Sequence, residues 1–468
     1  MRKSKFITLL RSLTPQELRQ FDQYISYMYS GQTVASTLFK YIKKYAPDYQ
    51  SERLVKEKAF SKIFGADMAF NNKRLGNVLS TLFAYLEDFL LQQRMKQNGV
   101  ERAMQLLHIY KERRLSSLSH KTVTLADKLL QQEKQAGMWH FLHQMELNHL
   151  TFFHLNDKKL DLGIGSFEDC MNNLDLFFVL TKLKYACEKF NRGNILQEEK
   201  DIPFLEELRR YCREQGESLP MVHRMYAQML DLLEQKELDQ YQAVKQLFFE
   251  NYAIFQPIDQ LILLGYLANL SIGIVRRNNE EYLNELFSLY QFGIEKRALL
   301  AEGYISAEQF INVVIVACGR RDWDWLSWLL KKHTSDLLPD DRQNVVHLSN
   351  AYIAFYRKNF LEVIGNLAQV EILDPGIAFR LKALQLRAYY EQYGKHELVI
   401  DNAKTFELYL KRHKKMSEAM ISAYLNFIKL LRKMMRKRVN KDQLIEEVEA
   451  SKPLLLKKWL LDKIVELK

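Results

Sequence analysis

Phe355-Tyr356-Arg357-Lys358-Asn359-Phe360 and, 35 residues later, Tyr390-Glu391-Gln392-Tyr393-Gly394-Lys395 share one layout. In each, an aromatic residue (Phe355 or Tyr390) stands four positions before a small turn-forming residue, Asn359 or Gly394. Apolar residues at helical spacing flank both turns, so each segment reads as the bend of a helical hairpin. Working outward, similar breaks fall at Asn156-Asp157, Gly193-Asn194, Asp239-Gln240, Asn278-Asn279 and Arg321-Asp322, so that successive turns lie 35 to 46 residues apart. Pro257 and Pro375 follow two of these turns by 18 and 16 residues, where a second helix should end. A single hairpin cannot bury its apolar face alone, and a series of them must stack. The fold expected is therefore all-α, an irregular right-handed superhelix of helical hairpins with an N-terminal helical module.

Composition agrees. Gly and Pro together number 25 in 468 residues, too few for an architecture of many strands and turns. Apolar residues make up 47% of the chain, enough for an extensive core. Cys170, Cys187, Cys212 and Cys318 form no Cys-x-x-Cys pair, so neither a disulfide framework nor a zinc ribbon is expected. Phe6 to Leu10 is too short for a secretory core, and Leu261 to Val275, broken by Asn269 and Ser271, falls short of the roughly 20 residues a membrane span needs. A cytoplasmic protein with no membrane span is the expectation.

The first 97 residues read as a separate basic module. Thr14-Pro15-Gln16-Glu17 has the pattern of a reciprocal helix cap, and Leu18, Phe21, Ile25 and Met28 continue it as an apolar stripe. Further helices are expected over Val34–Tyr45, Arg53–Phe64 and Leu75–Gln93. Residues 98–412 form the hairpin array and residues 413–468 a basic set of capping helices. Charge follows this division. Residues 1–100 and 401–468 each carry a net +8, whereas residues 101–400 carry −5.

Over residues 220–260 and 340–412 the layout resembles the tetratricopeptide repeat: an aromatic, a small turn residue four later, then a second helix closing near Pro. Tyr352 and Arg387 stand where that repeat has a small residue in its first helix, and most spacings exceed its 34-residue period. The resemblance implies peptide or protein binding on a concave surface. It transfers no individual binding residue.

Chemistry-bearing motifs are sparse. There is no phosphate-binding loop, dinucleotide fingerprint, His-Glu-x-x-His or Gly-x-Ser-x-Gly, and Gly163-Ile164-Gly165-Ser166 is only half of a phosphate loop. Four of the eleven histidines (His140, His143, His149 and His154) lie within 15 residues. His140 and His143 are about 60° apart on a helix and are weak metal-ligand candidates, but His149 points the opposite way from His140. Arg-to-His pairs of the helical ribonuclease type occur at Arg102/His108, Arg113 and Arg114 with His120, and Arg342/His347. About two are expected by chance at this composition, so they carry no signal. No cofactor and no catalytic residue is expected.

Two surface features remain. Trp323, Trp325 and Trp328 place three of five tryptophans within six residues. Trp325 and Trp328 share a face suited to packing, while Trp323 points away and is the candidate partner anchor. From Lys411 to Lys441 there are eleven Lys or Arg and one acid, Glu418. Lys429, Arg432, Lys433, Arg436 and Lys437 recur as a single helix face, opposite a stripe of Met420, Tyr424, Ile428, Leu431 and Met435. Such a row can meet nucleic-acid phosphates, an acidic protein or an anionic membrane, or serve as a solvated face that aids solubility. The function expected is a non-catalytic scaffold or adaptor holding a protein or peptide ligand. The alternative is a nucleic-acid-associated regulator using the basic face. Oligomeric state is not legible.

Overall fold

The computed structural model describes residues 1–2, 4–28, 33–47, 49–154, 167–196, 202–274, 279–371, 375–412, 418–436 and 439–467. The fold is all-α. Among the described residues there is no strand beyond isolated bridges that join Ala301 to Tyr304 and Ile305 to Leu337. Asn156-Asp157, Gly163 to Ser166, Asn278 and Lys437 lie outside the described residues. The chain divides into two compact units, residues 1–133 with 142–173, and residues 134–141 with 174–468.

In the first unit, α1 (Lys5–Leu10), α2 (Pro15–Met28), α3 (Val34–Lys43), α4 (Lys56–Phe64) and α5 (Asn72–Gln97) close around one core. Its centre is aromatic. Phe21 lies 5.0 Å from Phe39 and 5.4 Å from Phe89, ring centre to ring centre. The reciprocal cap at the head of α2 is present: the Glu17 amide donates to Thr14 Oγ1 at 3.2 Å and the Thr14 amide donates to Glu17 Oε2 at 2.8 Å. Helix α1 escapes a search for long periodic stripes because it is six residues long, started by Ser4 as side-chain cap. A second core joins α6 (Gly99–Glu112), α7 (Ser116–Gln131) and the end of α8 (Met138–His154) through Met104, Leu107, Val123, Leu130, Leu147 and Leu150.

Helix α9 (Phe167–Leu196) continues into the second unit. There follow α10 (Leu205–Gln215), α11 (Met221–Gln235), α12 (Leu238–Asn251), α13 (Pro257–Ile274), α14 (Asn279–Glu295), α15 (Ala307–Arg320) and α16 (Trp323–His333). The chain ends with α17 (Arg342–Tyr356), α18 (Phe360–Leu367), α19 (Pro375–Tyr393), α20 (Glu397–Arg412), α21 (Glu418–Met434), α22 (Lys441–Ala450) and α23 (Lys457–Glu466). From α11 onward they pair as hairpins, and first helices of successive hairpins touch at α11–α13, α15–α17 and α17–α19.

The turns obey one local rule. Arg321, Lys358 and Gly394 each adopt a left-handed φ of 61° that ends the preceding helix. Asp322 and Asn359 then cap the next one, accepting from the amides of Trp325 and Glu362 at 3.2 and 3.4 Å. Two expected breaks are corrected. Gly193-Asn194 lies inside α9, because a helical Gly costs only about 1 kcal/mol against the burial of Leu183, Ala186, Cys187 and Phe190 just before it. Asp239-Gln240 lies inside α12, and the break comes earlier, at left-handed Lys236 with φ 58°. Pro257 and Pro375 open α13 and α19, where a missing amide costs nothing.

Arg387 and Tyr352 show why the repeat is irregular. Tyr352 is buried between hairpins, and the Arg387 guanidinium stacks 4.5 Å above the Phe355 ring. Burial pulls the guanidinium below its ordinary pKa, the nearby Tyr352 and Tyr356 opposing that shift. Two large side chains thus fill a contact that small residues would close. The apolar stretch of α13 is buried through Leu263, Leu264, Leu267 and Leu270, and no helix among the described residues is long and apolar enough to cross a membrane.

Candidate basic groove

Helix α21 is two-sided. Tyr424, Phe427, Ile428, Leu431 and Met434 are buried against α19, α20 and the last helices. Met420 and Met435, expected on that stripe, are instead 39% exposed and half-buried, and Phe427, Leu430 and Met434 complete the packed side. The opposite side and the end of α20 enclose a groove of about 530 Å³ lined by Glu407, Lys411, Leu425, Lys429, Arg432 and Arg436, among others.

The cations are not equivalent. Glu407 binds two of them, Lys411 at 2.7 Å and Arg432 at 2.6 Å. Hydrogen bonds from those two side chains hold the Glu407 carboxyl below the ordinary glutamate range. Lys433 is paired with Glu447 of α22. Lys429 and Arg436 are exposed and have no carboxylate partner among the described residues. The Arg436 carbonyl accepts from Lys395 Nζ at 2.8 Å, which caps the end of α21. Clustering Arg432, Lys433 and Arg436 there is favourable in itself, because the carbonyl end of a helix carries partial negative charge. Sequence reading missed Glu407 and Glu447. Glu407 had a signal, its place four residues before Lys411; Glu447 is brought in only by the packing of α22.

The remaining candidates are dispersed. Trp323 is half-buried against the main core and roofed by Arg357 at 4.7 Å. Trp325 and Trp328 also pack there, 5.7 Å apart, with Phe287 4.9 Å from Trp325. His140 and His143 are half-buried on α8, and Glu146 is held by His108 of α6 at 2.7 Å. No three His, Cys, Asp or Glu side chains among the described residues are grouped as a metal ion requires. Arg342 is committed to backbone, donating to the carbonyls of Leu337 and Ser335 at 3.0 and 2.8 Å.

No family model, curated protein or solved structure matches this chain. The functional reading rests on the groove itself. It offers two uncommitted cations seven residues apart, a third and fourth shared through one carboxylate, and an apolar wall at Leu425.

Proposed function

We propose that the protein is a non-catalytic scaffold that holds an acidic segment of a protein partner, with the α20–α21 groove as its electrostatic anchor. The single observation that carries this reading is the division of labour among the cations: Lys429 and Arg436 are uncommitted, while Glu407 and Glu447 occupy their neighbours. Two free charges about two helical turns apart, with an apolar wall at Leu425 one turn before Lys429, match a peptide bearing two carboxylates about two turns apart and an apolar residue beyond one of them. A duplex would call on many more, since each neutralised phosphate adds about 0.9 to the salt slope. The reading takes the hairpins to follow a tetratricopeptide-type right-handed path and the protein to reside in the cytoplasm, which four unpaired cysteines support.

The test is capture of partners on the immobilised full chain, with and without nuclease, beside anisotropy titrations with a fluorescent Glu-rich peptide and with duplex DNA. Nuclease-resistant protein partners and a peptide salt slope of about two, both lost in Lys429→Glu/Arg436→Glu, are the expected results. DNA binding with a steep slope, and partners that vanish on nuclease treatment, would replace this reading with that of a nucleic-acid-associated regulator.

A further inference from the structure

Helix α9 is apolar on two opposite sides. Val179, Leu180, Leu183, Ala186, Cys187 and Phe190 are buried in the main core of the second unit. Leu174, Phe178 and Tyr185 face solvent, with relative exposures of 43%, 47% and 65%. At 3.6 residues per turn these three and the half-buried Thr181, whose hydroxyl oxygen is covered, share an arc of about 60°, centred about 165° from the buried set. Their spacing of four, three and four residues is that of a coiled-coil seam. Beside it, Phe204 is 63% exposed and joins Phe178, Val179, Leu208 and Tyr211 around a hollow of about 320 Å³ whose rim also carries Asp175, Glu207, Arg210 and Glu214. An apolar face of this size on a soluble helix marks an interaction site.

Charge identifies the occupant. Asp175 and Lys182 flank the seam on one edge, at the same heptad position one repeat apart, and neither has an ion-pair partner among the described residues. An acid and a base so placed are complementary to the same edge reversed. Antiparallel pairing of two α9 helices puts Asp175 of each copy beside Lys182 of the other, with Leu174 opposite Tyr185 and Phe178 opposite Thr181. Parallel pairing would set Asp175 against Cys170 and Lys182 against Phe177, neither of which answers the charge. We infer that the exposed face of α9 is a homodimer seam whose occupant is the antiparallel α9 of a second copy.

Sedimentation velocity of the full chain over about two decades of micromolar concentration, at low salt, tests this. A monomer–dimer equilibrium is expected. Phe178→Glu should abolish the dimer, and at a concentration where parent and variant are both monomeric their helical circular dichroism should coincide, which separates loss of the seam from loss of the fold. Asp175→Lys or Lys182→Asp alone should weaken association about tenfold or more, since each replaces two attractions by two repulsions. Asp175→Lys/Lys182→Asp together should regain it. Lys429→Glu/Arg436→Glu should dimerise like the parent, which separates this inference from the groove reading. A chain that is monomeric throughout, or a double charge swap no better than its single components, would overturn it.

Discussion

Arg321 and Lys358, 37 residues apart, hold the same backbone geometry: each lies at φ 61° and each is followed at once by a side-chain helix cap. The repeat is thus written in backbone conformation, not in residue identity. Left-handed φ is unfavourable for a residue with a Cβ, and the next turn uses Gly394 at the same angle. Lys358→Gly should stabilise the protein by about 0.5–1 kcal/mol, while Lys358→Val should destabilise it by more than about 1 kcal/mol. Asn359→Ala, which removes the cap, should cost about 1 kcal/mol. Thermal melts of the full-length variants read all three.

A buried triad makes a second prediction. Asp259 is fully buried and accepts from Lys184 at 2.5 Å and from the Tyr226 hydroxyl at 2.6 Å, tying α9, α11 and α13 together. Asp259→Ala would strand the Lys184 charge and should cost about 3–5 kcal/mol. Tyr226→Phe removes one neutral donor and should cost about 1–2 kcal/mol. If Lys184→Met/Asp259→Leu is as damaging as Asp259→Ala, the triad is not acting as a charge pair. Urea denaturation distinguishes these outcomes.

Acid sensitivity should trace in part to His223. The ring is fully buried, Nε2–H donates to the Leu176 carbonyl at 2.9 Å, and Nδ1 has no acceptor for a second proton. Burial lowers its pKa to about 4, the Leu176 hydrogen bond opposing that shift. The unfolded chain then binds a proton below about pH 6.5 that the folded chain refuses until about pH 4. Stability contributed by neutral His223 is complete above pH 6.5 and lost as pH falls toward 4, by an amount on the order of 3 kcal/mol. Comparing denaturation midpoints at pH 7 and 4.5 for the parent and His223→Leu should show a smaller acid loss in the variant.

Glu407 restrains the groove. Because it engages both Lys411 and Arg432, Glu407→Gln should release two cations toward an incoming anion. Peptide affinity should rise several-fold at low salt and the salt slope should steepen by about one to two. Lowering pH should not mimic this substitution: the two partners hold the Glu407 carboxyl below the usual glutamate range, so the carboxylates of the peptide are protonated first and its binding falls. Unchanged affinity in Glu407→Gln, measured by anisotropy, would remove Glu407 from this role.

The helical class, the α2 cap and the turns at Arg321-Asp322, Lys358-Asn359 and Gly394 were legible because each depends on residues within one turn of chain. The basic side of α21 was legible for the same reason: periodicity along one helix places its side chains. What escaped depends on partners distant in sequence. Glu447 reaches Lys433 only because α22 folds back, and Arg357, at the end of α17, covers Trp323 only because α16 and α17 both pack on α15. Helix α9 escaped differently. Apolar residues on both its sides cancel the one-sided pattern that marks an amphipathic helix, and Gly193 reads as a break that burial overrides.

Three of the five tryptophans lie on α16, and Trp328 is 4.8 Å from the His333 ring while Trp325 touches Phe287 of α14. The intrinsic emission of the whole chain is therefore weighted toward one hairpin. Indoles 5.7 Å apart exchange excitation, so their near-ultraviolet bands report the docking of α16 on its neighbours more than any average property. A spectroscopist following this protein by fluorescence would be watching chiefly the α14–α16 packing open, with Trp139 of α8 and Trp459 of α23 as the other indole reporters.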